Sequence, residues 1–132
     1  MRIYLTHCSK EKSAVAKASG FPLPPDELYT EEGIQAFMNA CKSHKVNWAI
    51  LSDNYGVFFP SEKHKYYEKP PAIVTPEEEA VIIAQFNERL AKYDEIWFYV
   101  RSEIFHLFYD RVLKASTLAE RIHLFENIKK IC

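Results

Sequence analysis

The sequence contains little glycine, no excess of charge and no long apolar run. Three glycines in 132 residues exclude collagen-like repeats and glycine-rich linkers. A formal net charge of -1 at pH 7 argues against a protein that coats nucleic acid without specificity. No stretch reaches the roughly 18 apolar residues that a membrane-spanning helix needs, so we expect no membrane partner.

Cysteine is also scarce. Cys8, Cys41 and Cys132 are odd in number and widely spaced, which fits reduced thiols better than a disulfide framework. The N-terminal residues include a single basic side chain and a very short apolar run, so they do not resemble a signal peptide. Together these features predict a soluble, cytoplasmic protein.

What is present is the composition of a folded domain. Hydrophobic residues make up 48% of the chain and charged residues 27%, which excludes a disordered tail. A chain of this length can bury a sizeable core without a disulfide or a metal ion. We therefore expect a single domain over residues 1–132.

Three short apolar segments predict β-strands, at Arg2–His7, Asn47–Ser52 and 95–100. The second is apolar without alternation, as expected of a strand that is buried on both faces of a parallel sheet. Proline-rich and polar connections separate the three segments. They are therefore predicted to be distinct strands of one sheet.

Four helices are predicted around these strands. Thr30 is expected to cap the first, and the capping box of Thr75 and Glu78 opens the second. Two further helices are expected over 103–115 and 117–130. The order of elements is then strand, helix, strand, helix, strand, helix, helix.

This alternation predicts an α/β fold with parallel strands joined by right-handed crossovers. We expect a three-layer sandwich with a small, mainly parallel, Rossmann-like sheet of at least three strands in the order 2-1-3. The long connection over residues 8–29 leaves room for an additional short strand.

Polar residues follow each predicted strand at its carboxyl end. In open parallel sheets these ends share one edge, and ligands bind there, where the strand order reverses. With the order 2-1-3, this point lies between the first and third strands. The sequence therefore predicts one neighbourhood containing Cys8, Ser9, Lys10, Ser52, Asp53 and Arg101.

The chemistry of this edge suits an anion, above all a phosphate. Lys10, Lys12 and Arg101 supply positive charge, Ser102 adds a hydroxyl to the serines above, and turn amides add further donors. The competing interpretation is that strand ends are polar because loops are solvated. The predicted ligand-binding residues are Ser9, Lys10, Arg101, Tyr55 and Gly56.

Cys8, Ser52 and Asp53 are the candidate catalytic residues. Asp53 would orient or deprotonate the ligand, and Glu103 is a second carboxylate with which it could divide acid and base roles. Cys8 follows His7 and precedes two lysines, and because cations lower the pKa of a thiol it is a candidate nucleophile. A buried packing cysteine is the alternative.

Familiar cofactor and metal motifs are missing. The chain has no GxGxxG, P-loop, GxSxG or HExxH motif, so no cofactor can be named. His7, Cys8, Cys41 and His44 could together bind zinc, but Cys41 also completes the apolar face of a predicted helix. We therefore predict no metal site.

The connection after the second strand interleaves aromatic and basic residues. Base stacking beside phosphate-binding lysines requires this combination, which makes RNA an alternative partner. Packing of the aromatic rings beneath the loop is the competing interpretation. The residues concerned are Tyr55, Phe58, Phe59, Lys63, His64, Lys65, Tyr66, Tyr67 and Lys69.

Several short motifs resemble those of one family. Cys8-Ser9-Lys10 follows the first strand, Leu28-Tyr29 precedes a helix, and Trp48-Ala49-Ile50-Leu51-Ser52 is followed by Tyr55-Gly56 and Pro60. These motifs resemble an uncharacterised prokaryotic α/β domain family of unknown function, over residues 1 to about 70. The resemblance implies an α/β fold and nucleotide-like ligands, without an established activity.

We therefore expect a cytosolic α/β domain that binds a nucleotide, nucleoside or other phosphorylated ligand, with transferase or hydrolase activity left open. An RNA-binding module is the first alternative. The second is a non-catalytic interaction domain whose aromatic helix, with Phe105, Phe108 and Tyr109, forms a subunit contact. The oligomeric state is left open.

Overall fold

The computed structural model describes residues 1–101 and 105–132. Ser102 and Glu103 therefore lie outside the described residues. Within these ranges the strands are β1 (Arg2–His7), β2 (Asn47–Ser52), β3 (Gly56–Phe58), β4 (Glu95–Tyr99) and β5 (Ile122–Phe125).

The strands form one sheet in the order β3-β2-β1-β4-β5. β1 is parallel to β2 and β4, β5 is parallel to β4, and β3 is antiparallel to β2. The prediction of an α/β fold with a mainly parallel sheet is therefore confirmed. The three-strand order 2-1-3 does not match a five-stranded sheet that has an antiparallel strand at one edge.

β3 lies in a connection for which no strand was predicted. It has only three residues, too few for a hydrophobic period to be visible. Gly56 begins it with φ of +71°, a conformation that lets the chain turn back on β2. The side chain of Gln85 then accepts a hydrogen bond from Val57 N at 2.8 Å and donates one to Tyr55 O at 3.1 Å.

β5 replaces a predicted helix. The capping-box pattern at 117–120 overlaps a short 3-10 turn, Ala119–Arg121, and the next four residues then pair with β4. Ile122, Leu124 and Phe125 favour strands, and the unpaired edge of β4 provides a partner. Tertiary pairing here overrides a local helix signal.

The described residues form helices α1 (Ala14–Ser19), α2 (Pro25–Leu28), α3 (Glu32–Ser43), α4 (Pro76–Leu90) and α5 (Leu107–Ala115). Further 3-10 turns lie at Pro71–Ile73 and Ile128–Lys130. Each of these helices is too short or too polar to cross a lipid bilayer.

The capping signals of two helices had different outcomes. α4 begins at the predicted box, in which Thr75 N donates to the Glu78 carboxylate at 3.0 Å and Glu78 N donates to Thr75 Oγ1 at 3.2 Å. α3 is capped by Glu31 instead of Thr30. The longer carboxylate side chain reaches two backbone amides of the first turn, whereas a hydroxyl is usually limited to one.

Helices cover both faces of the sheet. On one face, Phe37 of α3 stacks on Tyr99 with ring centroids 5.8 Å apart. On the other, Tyr109 of α5 stacks on His7 at 5.0 Å. Thr6 pairs with Tyr99, so His7 and Tyr99 point to opposite faces. α4 packs beside α5 and against β3.

The long connection after β1 adds no strand to the sheet. It contains α1 and α2, and it meets the connection after β3 through an isolated bridge between Leu23 and His64. A second bridge joins Lys12 to Tyr29 within it. These contacts bring the connection back over the carboxyl end of the sheet.

Candidate ligand-binding site at the carboxyl edge of the sheet

The carboxyl ends of β1, β2 and β4 meet as the parallel arrangement requires. Cys8 Sγ lies 3.5 Å from Asp53 Oδ1, which joins the ends of β1 and β2. Arg101 Nη2 donates to His7 O at 3.0 Å, which joins the end of β4 to β1. β2 lies on one side of β1 and β4 lies on the other. The strand order therefore reverses between β1 and β4.

A buried polar cluster lies beyond β1 and β2. Its members Cys8, Asp53 and Tyr109 are 7%, 2% and 2% exposed. Cys8 Sγ lies 3.1 Å from the Tyr109 hydroxyl, in addition to its contact with Asp53. Burial raises the pKa of all three groups. Several perturbed ionisable groups in one place are typical of functional sites.

Cys8 is a thiol in these surroundings. Burial, together with the negative charge of Asp53, raises the pKa of Cys8 to about 11. The sequence predicted a lowered pKa for Cys8 because cations are its neighbours in the chain. The pKa is raised instead, because burial destabilises the thiolate more than distant positive charges stabilise it. The nucleophile hypothesis for Cys8 stays a prediction, and its electrostatic premise is not met.

We expect thiol reagents to modify the native protein at Cys132 only. Cys8 and Cys41 are buried, whereas Cys132 is exposed, and burial raises the pKa of Cys41 to about 12. A thiol-reactive dye should label one cysteine per chain rapidly in the native protein and three in denaturant. The Cys132→Ser variant should lose the rapid labelling. A second rapidly labelled cysteine that disappears in Cys8→Ser would show that Cys8 is accessible and reactive.

A network of hydroxyl groups lies next to the cluster. The Tyr67 hydroxyl lies 2.7 Å from the Tyr29 hydroxyl and 2.9 Å from Ser52 Oγ. Ser52 Oγ also accepts from Asn54 N at 3.1 Å and from Tyr55 N at 3.0 Å. Ser52 thus holds the turn after β2, and its catalytic role stays a prediction.

Lys12 is a cation that contacts this network. Its side chain is half-buried, with Nζ 4.4 Å from the centre of the Tyr67 ring. It donates to Lys10 O at 3.3 Å. Burial lowers the pKa of Lys12, while the negative charge of nearby Asp53 acts in the opposite direction. Among residues 1–101 and 105–132, no carboxylate lies within 4.0 Å of its ammonium group.

The other predicted ligand-binding residues have structural partners or are exposed. Ser9 Oγ donates to Glu11 O at 3.0 Å, and Lys10 is exposed. The Tyr55 hydroxyl donates to Lys65 O at 2.9 Å. At Gly56 an added Cβ would lie 2.4 Å from the Gln85 side chain, so this glycine provides room for a close contact. Their binding roles stay predictions.

Arg101 lies within the sheet edge. Its side chain is 7% exposed, and its guanidinium contacts Thr6 Oγ1 and the carbonyl oxygens of His7 and Cys8. Nε of Arg101 and Nε2 of His7 are buried without a hydrogen-bond partner among the described residues. Burial, together with the positive charge of Arg101, lowers the pKa of His7 to about 3.

A cavity of about 420 Å³ lies beside this edge, at the ends of β4 and β5. It is lined by Val100, Phe105, Leu124, Phe125 and Glu126. The Phe105 ring lies 5.8 Å from the His7 ring, so the cavity adjoins the buried edge residues. It is open to solvent and is not enclosed.

The aromatic rings of the connection after β2 pack against one another. Phe58 is fully buried, Tyr55 stacks on His64 at 3.9 Å, and Tyr67 contacts Tyr55 edge-on at 5.1 Å. Lys69 is paired with Glu78. Phe58 and the His64-facing side of Tyr55 are therefore not free to stack on nucleic-acid bases. RNA binding stays a prediction, without stacking on Phe58 or on that side of Tyr55.

Two other hypotheses are affected by the structure. Phe108 and Tyr109 are buried in the core and Phe105 is partly exposed, so a subunit contact through this helix stays a prediction that only Phe105 could support. In the part of the chain that the structure describes, no three His, Cys, Asp or Glu side chains are placed to bind a metal ion. Glu103, the predicted partner of Asp53, lies outside that part.

Sequence reasoning missed the tyrosines of the site. Tyr29, Tyr67 and Tyr109 come from three connections or helices that are far apart in the chain, and no local spacing relates them to Cys8. The bridge that places Lys12 beside Tyr29 has no sequence signature either.

Comparison with protein-family models, curated proteins and solved structures finds no match.

Proposed function

We propose that this protein is a cytosolic, Rossmann-like domain that binds a small phosphorylated molecule, such as a nucleotide, at the carboxyl edge of its sheet. The proposal is carried by Lys12, a half-buried cation that has no carboxylate partner among the described residues. Partial desolvation of an ammonium group is unfavourable unless an anion compensates for it. A bound phosphate group would provide that anion.

The position of Lys12 supports the same conclusion. It lies beyond β1, beside the polar cluster of Cys8 and Asp53, on the edge where open α/β sheets bind ligands. The aromatic ring of Tyr67 below it restricts the ammonium group to one region.

Asp53 is the group best suited to proton transfer at this edge. Its carboxyl group is buried, and its pKa is raised above the ordinary value of 3.8, chiefly by burial. A carboxylate with a raised pKa is a better general base near neutral pH. Asp53 would therefore orient or deprotonate a ligand hydroxyl or water in a transferase or hydrolase reaction.

A thermal-shift screen of nucleotides, nucleosides, sugar phosphates and inorganic phosphate tests the proposal. We expect at least one phosphorylated compound to raise the melting temperature, and the matching unphosphorylated compound to have a smaller effect. Lys12→Ala should weaken binding by about tenfold or more, because it removes a charge-assisted hydrogen bond.

Lys130→Ala is the matched control, since Lys130 is exposed and lies in the C-terminal 3-10 turn. It should bind as the wild type does. The proposal is overturned if no phosphorylated compound shifts the melting temperature, or if Lys12→Ala and Lys130→Ala bind equally well.

A further inference from the structure

The N-terminus of α3 contacts the buried edge of the sheet through Arg101. Gly33, the second residue of α3, lies so close to Arg101 that an added Cβ would be 3.2 Å from Arg101 Cδ. The first turn of this 12-residue helix and the guanidinium therefore share one small region at the end of β4. A helix N-terminus and a buried arginine are each favourable to negative charge.

This region already holds one carboxylate. Glu31 Oε1 accepts a hydrogen bond from Gly33 N at 2.8 Å, and Oε2 accepts one from Ile34 N at 3.2 Å. Glu31 Oε2 also lies 3.7 Å from Arg101 Nη2, an ion pair that is too long for a hydrogen bond. The Glu31 carboxylate thus occupies the position where an anionic ligand would bind, and it contacts the same two amides and the same guanidinium.

The carboxylate does not satisfy the region completely. Arg101 Nε is buried, and within the described ranges it has no hydrogen-bond partner. The Glu31 side chain is 28% exposed, so it can leave towards solvent without crossing the core. A phosphate group has more acceptor oxygens and more charge than a carboxylate, and could pair with both amides and the guanidinium.

We propose that the N-terminus of α3, together with Arg101, is a second phosphate-binding subsite of this protein in addition to Lys12, and that Glu31 fills it until the ligand displaces it. This inference rests on the proposed function, because it assumes that the ligand carries phosphate. It assigns Glu31 the role of an internal competitor. Gly33 provides the space, since a Cβ there would meet Glu31 Oε1 at 2.8 Å.

Removal of the competitor should strengthen anion binding. We expect Glu31→Gln and Glu31→Ser to bind pyrophosphate about tenfold more tightly than the wild type does in isothermal titration calorimetry. The serine variant retains a capping side chain, so it guards against loss of the helix start. In both variants, pyrophosphate should shift the amide resonances of Gly33 and Ile34.

Glu32→Gln is the matched control, because Glu32 is exposed, adjoins Glu31 and also carries negative charge in the first turn. It should change affinity by about twofold at most, since exposed charges are screened. Equal affinities of the Glu31 and Glu32 variants overturn the subsite, even where Lys12-dependent ligand binding upholds the proposed function. Binding of pyrophosphate by Glu31→Gln alone, with no ligand found for the wild type, upholds the subsite and counts against the proposed function.

Discussion

Acidification from pH 6.5 to pH 4 is expected to lower the free energy of unfolding by about 3 kcal/mol through His7 alone. His7 is 1% exposed, and its pKa falls from 6.5 to about 3 on folding. Between these values the unfolded chain binds a proton that the native protein does not. The stabilisation is therefore complete above pH 6.5 and is lost as the pH falls towards 3.

The surroundings of His7 explain why protonation is unfavourable. Its Nδ1 lies 3.0 Å from Cys8 O and 3.2 Å from Arg101 Nη2, and its ring contacts the rings of both Phe105 and Tyr109. A second proton would place a charge beside the guanidinium without access to water. Asp53, whose pKa is raised, has the opposite dependence and offsets part of the loss.

Urea unfolding at several pH values isolates the contribution of His7. His7→Asn keeps a polar group near Cys8 O but does not titrate, so its stability should lose the slope of about 1.4 kcal/mol per pH unit. Asp53 is present in both proteins and cancels in the comparison. His123→Asn, at an exposed position of β5, should keep the slope. An unchanged slope in His7→Asn would contradict this account of acid sensitivity.

Replacement of Arg101 by alanine is expected to cost roughly 3–5 kcal/mol of stability, the range observed when one partner of a buried charge network is removed. The guanidinium donates to the carbonyl oxygens of His7 and Cys8 and contacts Thr6. Without it, these buried acceptors at the end of β1 lose their partners. Arg101→Lys should also be strongly destabilising, because one ammonium group cannot replace the planar fork.

Arg111→Ala provides the comparison for Arg101. Arg111 also pairs with a carboxylate, that of Glu79, but its side chain is 51% exposed. Exposed ion pairs contribute about 1 kcal/mol or less, so this variant should unfold at nearly the wild-type urea concentration. Equal losses in the two variants would show that the contacts of Arg101 do not support the sheet edge. A large loss would explain why Lys12 and Glu31, rather than Arg101, are the appropriate probes of binding.

The strands were the most predictable part of the fold. Arg2–His7 and Asn47–Ser52 match their predicted bounds, and β4 ends one residue before the predicted position 100. These segments are apolar enough that burial determines their conformation. β3 and β5 were not predicted, since a three-residue strand has no visible period and the pairing of β5 depends on β4, which is distant in the chain.

The site was predictable at the level of the sheet edge and not at the level of its side chains. Parallel strands bring their carboxyl ends together, so the proximity of Cys8, Asp53 and Arg101 follows from the order of elements. The residues that complete the site, Lys12 and Tyr67, are positioned by long connections. The course of those connections depends on contacts that the linear sequence does not reveal.

The bridge between Leu23 and His64 has a consequence for the motion of these connections. It joins the two segments that pass over the carboxyl edge of the sheet. The hydrogen bond between Tyr29 and Tyr67 and the ion pair of Lys17 with Glu68 join the same segments again. Neither segment can swing outward without breaking its ties to the other. The two segments are therefore expected to move together, so a contact that immobilises one of them also restricts the other.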